Sequence, residues 1–106
     1  MKKLAKQYLD KLQLHPYFSK IRLTLSQMSS TKKNSHWATV RLTGVVLENE
    51  IIEAEATIFL NFRDLTTKDL LIEALAEEGA HLVLSEDWEK IKLELIKYLK
   101  GELNEG

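Results

Sequence analysis

The chain of 106 residues contains no cysteine, one proline and four glycines, and only 8% of it is aromatic. Each scarcity excludes something. Without cysteine there is no disulfide scaffold, no thiol nucleophile and no thiolate-held zinc. The lone Pro16 and the scattered Gly44, Gly79, Gly101 and Gly106 leave neither a Pro/Gly-rich linker nor a phosphate-cradling glycine loop. No apolar run approaches the roughly 18 residues that a membrane span needs. The basic start Met1-Lys2-Lys3 is not followed by the apolar stretch of a secretory signal. A soluble cytoplasmic protein is the expectation. Hydrophobic residues make up 44% of the chain, too much for a disordered one. No internal repeat is evident, so residues 1–106 read as one α+β domain with a frayed tail over 102–106.

Periodicity supplies the elements. Leu4, Tyr8 and Leu12, widened by Ala5 and Leu9, make the apolar stripe of a helix over 2–14 that ends at His15-Pro16. Ile21, Leu23 and Leu25 alternate with Arg22, Thr24 and Ser26 as in a half-buried strand. The polar run 29–35 reads as a loop. In a second strand Ala38, Val40 and Leu42 oppose Trp37, Thr39, Arg41 and Thr43, and a bulge is expected at Gly44. A turn at Glu48-Asn49-Glu50 leads to a third strand. Its inner face is Ile52, Ala54, Ala56, Ile58, Leu60 and Phe62, and Glu53, Glu55, Thr57 and Phe59 lie outside. Thr66 or Thr67 can cap a helix that Gly79 would stop, and Ser85 can cap a last helix with Trp88, Ile91, Leu95 and Leu99 in its core stripe. Residues 80–84 are either a connector or a fourth short strand. The expected architecture is a three-stranded antiparallel sheet, β1 beside β2 and β2 beside β3, with helices on one face in the order α-β-β-β-α-α.

Catalytic signatures are absent. There is no nucleophile elbow, and His15, His36 and His81 share no metal-ligand spacing, so no metal, no cofactor and no enzyme activity are expected. An enzyme would have to pair His36 or His81 with a carboxylate in a cleft. Glu53 and Glu55 share a strand face, and Glu73, Glu77 and Glu78 read as an exposed helix side.

The charges are unevenly distributed although the net charge is −1. Residues 1–41 hold nine Lys and Arg against Asp10 alone, whereas residues 42–106 hold six basic and fifteen acidic side chains. Two opposite poles are one outcome. Mutual neutralisation, with Arg22 and Arg41 near Glu53 and Glu55, is the other. The leading functional expectation is a small interaction protein of the adaptor, inhibitor or immunity type. It would dock on a protein partner through Trp37, Glu53, Glu55, Glu73, Glu77 and Glu78. The alternative is RNA or DNA binding through Lys2, Lys3, Lys6, Lys32, Lys33, His36 and Arg41. Trp37, Phe59 and Ile51, with Val45 and Leu47, would also allow a homodimer through the sheet face.

Over about residues 2–79 the order α-β-β-β-α resembles the double-stranded-RNA-binding domain. Where that family opens its last helix with lysines, this chain has Thr66-Thr67-Lys68-Asp69. The resemblance is one of topology, and no RNA-binding residue follows from it.

Overall fold

A computed structural model describes residues 2–28, 38–47, 50–83 and 86–101. Helix α1 spans Lys2–Gln13, and a 3-10 turn follows at Pro16–Phe18. Strands β1 (Ile21–Gln27), β2 (Ala38–Leu47) and β3 (Glu50–Leu60) come next, then α2 (Lys68–Leu82) and α3 (Trp88–Lys100). The composition class and helix count are as expected. The polar loop over 29–35, the turn at 48–49, the Ser85 cap and the tail over 102–106 lie outside the described residues.

The sheet is mixed, which corrects the expected antiparallel meander. Its order is β1-β3-β2, with β1 parallel to β3 and β2 antiparallel to it. The resemblance to the RNA-binding domain therefore stops at element order. Alternation along a strand fixes which side chains share a face, but not which strand lies beside it. The small, fully or nearly buried Ala54 and Ala56 belong to the central strand, beneath the helices. The register shift falls between Val45 and Val46 rather than at Gly44.

Helices α1 and α2 pack on the sheet face that carries Ile21, Leu23, Ala54, Ala56, Ile58 and Leu60. Helix α3 packs behind them, against α2 and α1. Being enclosed between sheet and helix explains why α2 is apolar nearly all round, with Leu71, Ile72, Leu75, Ala76 and Ala80 buried. Thr67 caps it, its hydroxyl accepting the Leu70 amide at 3.2 Å.

Two helix ends differ from expectation. Helix α2 runs through Gly79 to Leu82, so 80–82 are helical and not a fourth strand. Gly79 is kept for closeness: a Cβ there would stand 3.2 Å from both Leu95 Cδ1 and Phe18 Cζ. Helix α3 begins at Trp88 after Asp87, whose side chain makes no cap hydrogen bond. Its other end follows the rule, with Gly101 in the left-handed region at φ 81°. The α3 stripe buries Ile91, Leu95 and Leu99, but Trp88 lies outside the core, 38% exposed. No helix among the described residues is long and apolar enough to cross a membrane.

Candidate functional site

Two surfaces gather the residues of interest, and they lie on opposite sides of the sheet. The first is the sheet face without helices. Its parity follows from the register: Arg22 opposes Glu55, Thr24 opposes Thr57 and Ser26 opposes Phe59 across β1 and β3, while Thr43, Arg41 and Thr39 oppose Glu55, Thr57 and Phe59 across β2 and β3. The Thr24 and Thr57 hydroxyls lie 2.9 Å apart. The Arg41 guanidinium lies over the Phe59 ring, 5.9 Å from its centroid. Arg22, Arg41 and Glu55 are exposed, and no described element packs over them. Because β3 is central, Arg22 and Arg41 flank it from the two edges instead of standing side by side.

On the opposite face Leu42 shares the core side of β2 with Val40 and Ala38, yet it is 50% exposed. The ten and eleven residues of β2 and β3 outrun the seven residues of β1.

The second surface is the groove between α2 and α3. Glu73, Glu77, Glu78 and His81 recur at helical spacing along α2. The Lys92 ammonium, from α3, reaches Glu77 Oε1 at 3.0 Å and Glu73 Oε1 at 3.5 Å. The carboxylates hold its proton more firmly, and its pKa is raised even though burial opposes the charge. Two of the acids expected to meet a partner, Glu73 and Glu77, are thus already tied to α3. Glu78 departs further from the exposed helix side: it is 7% exposed and makes no hydrogen bond or ion pair to any described residue. Burial, and then the Glu77 charge beside it, push its carboxyl up to about 7. Beyond it His81 stacks on Trp88, ring centroids 5.3 Å apart and planes at 29°. Ligand atoms of Glu77, Glu78 and His81 all lie within 4.8 Å of one another.

This constellation is missed when the chain is read linearly. Ending α2 at Gly79 puts His81 outside the helix and hides the spacing, at which Glu77 and Glu78 stand four and three residues before the histidine.

The remaining candidates are dispersed. Lys2, Lys3 and Lys6 are exposed on α1, and Lys6 pairs with Asp10 at 2.8 Å. Glu53 stands in β3 opposite Val45. Lys32, Lys33, His36 and Trp37 lie outside the described residues. Each ion pair seen between described residues joins two members of the same half of the chain: Lys6–Asp10, Lys92 with Glu73 and Glu77, and Lys100–Asp69. Arg22 and Glu55, from opposite halves, are register partners across β1 and β3. An open cleft of about 500 Å³ beside them is lined by Gln13, Ser19, Lys20, Arg22 and Glu55.

Compared with family models, with curated proteins and with solved structures, the chain matches none.

Proposed function

We propose that this chain is a non-catalytic interaction module that docks on a protein partner through the helix-free face of its sheet. The observation carrying this reading is the composition of that face. Arg22, Arg41, Glu55, paired threonine hydroxyls and the Phe59 ring form a mixed surface over which no described element packs. Arginine and aromatic rings are enriched where proteins meet. Glu55 sits across β1/β3 from Arg22 and two positions along β3 from the Thr57 that Arg41 faces, so cationic and anionic groups alternate. A face built this way complements a protein surface of mixed charge better than a run of phosphates, which favours unopposed cations.

Nucleic-acid binding is the second reading. It is favoured by the exposed Lys2 and Lys3 on α1 and by the absence, among the ion pairs seen, of any between the two halves of the chain. One experiment separates the two. The immobilised chain is exposed to host extract, and retained material is compared for wild type, Arg41→Glu/Phe59→Ser and Lys2→Glu/Lys3→Glu. A stoichiometric protein lost only with the sheet-face variant supports docking. Salt-sensitive retention of nucleic acid, lost with the lysine variant, replaces it with the second reading.

A further inference from the structure

We propose that Glu77, Glu78 and His81 form a binding site for a divalent transition-metal ion of the zinc class. Helix α2 brings the three together by geometry alone, because residues three and four apart share a helix face. Their ligand atoms lie within 4.8 Å of one another. Tetrahedral donors each about 2.1 Å from a common ion stand about 3.4 Å apart. Closing the widest pair therefore takes a side-chain shift of up to about 0.7 Å per residue.

Glu78 points to a ligand independently of this spacing. The residue is 7% exposed, and its carboxyl lies within the cluster and has no hydrogen bond or ion pair to any described residue. Buried charges in folded proteins are paired or coordinate a metal, because an unpartnered one is costly. Lys92 does not serve as its partner: that ammonium is spent on Glu77 Oε1 and Glu73 Oε1, which leaves Glu77 Oε2 unclaimed. Lys92 instead orients Glu77 from the side, as outer partners of metal ligands do. The stacked Trp88 ring sets the plane of the His81 imidazole.

The donor set selects the class of ion. One imidazole and two carboxylates suit zinc, cobalt(II) and nickel(II). Calcium would want six to eight oxygens and magnesium an octahedral, mostly aqueous shell. Two carboxylates neutralise a dication, and the three side chains leave a fourth position for water.

Trp88 makes the site report on itself. The experiment uses the full chain without a purification tag, in a Trp37→Phe background, at pH 8, where the Glu78 carboxyl has given up its proton. Cobalt(II) is titrated while tryptophan emission and visible absorption are followed, and zinc is titrated by calorimetry. The expected result is saturation at one ion per chain, with quenching of Trp88. The dissociation constant for zinc should rise at least tenfold in both His81→Ala and Glu78→Gln, and stay unchanged in Glu89→Gln. His81 is exposed, so its replacement keeps the test valid if Glu78→Gln does not fold. Absence of saturable binding up to 1 mM metal (about 4 kcal/mol of binding free energy) overturns the proposal. So does binding that survives both substitutions, which would place the ion at another histidine.

Discussion

The Gln13 side chain stands beside β1 as a neighbouring strand would: its Nε2 donates to the Ile21 carbonyl at 2.8 Å, and its Oε1 accepts the Leu23 amide at 2.7 Å. These are the two groups a parallel strand would take. The same Nε2 also donates to the Phe18 carbonyl at 3.2 Å. One amide at the end of α1 thus closes the turn through Pro16 and blocks part of the outer edge of β1, a position open to pairing with another chain.

Replacing Gln13 tests that arrangement. Gln13→Ala should lower stability by roughly 1–3 kcal/mol, since three part-buried backbone groups lose their partner. Denaturant unfolding measures the loss. Light scattering should also show more self-association, because the edge at Ile21–Leu23 is opened. An unchanged midpoint would mean that water replaces the amide at no cost.

Glu78 should make stability fall as pH rises. Its folded-state pKa of about 7 lies above the value of 4.5 expected for an unperturbed glutamate. Between those values the folded chain holds more protons than the unfolded one, so the slope of stability with pH is negative there. The advantage is complete below about pH 4.5 and lost above about 7. Glu78→Gln should therefore match wild type near pH 4.5 and exceed it by roughly 1–3 kcal/mol at pH 8 in metal-free buffer. Urea unfolding across that range reads the difference.

Gly79 should tolerate no branched side chain. A Cβ already meets Leu95 and Phe18 at 3.2 Å and Leu12 at 3.5 Å, so Gly79→Val pushes α2 away from α3 and the Phe18 turn. The expected loss is about 1–3 kcal/mol by overpacking. Thermal unfolding should show a clear drop in Tm, despite the better helix propensity of any residue over glycine.

Tyr98 joins the ends of α1 and α3. Its hydroxyl donates to the Lys11 carbonyl at 2.6 Å, while Lys11 Nζ donates to the Leu99 carbonyl at 3.3 Å and lies 5.4 Å from the Tyr98 ring centroid. Tyr98→Phe keeps the ring and removes one hydrogen bond, for an expected cost of about 1 kcal/mol. Hydrogen exchange at the last turn of α1 should quicken in the same variant.

The helix-free sheet face is judged by exchange as well. If it meets a partner, amides of β2 near Arg41 and Thr43 should gain protection on complex formation, whereas those of α1 near Lys2 and Lys3 should not.

The sequence by itself determined the local pieces. The stripe of Leu4, Leu9 and Leu12 made α1, the two-residue period of Ala54, Ala56, Ile58 and Leu60 set the buried face of β3, a threonine at 66 or 67 set the start of α2, and Gly101 the end of α3. Those signals are local because side-chain direction repeats with the backbone. Tertiary structure decided the rest. Strand neighbours depend on which backbone edges meet, and no residue in β1 records that β3, not β2, will lie beside it. Gly79 sits inside the helix instead of ending it because Leu95 and Phe18 stand 3.2 Å from where a Cβ would be, a close approach supplied from distant parts of the chain. Once α2 continued, Glu77, Glu78 and His81 came together, and packing in the assembled fold turned Glu78 from one more surface acid into a buried one. Burial is a property of what packs around a residue, so only the assembled fold could assign it.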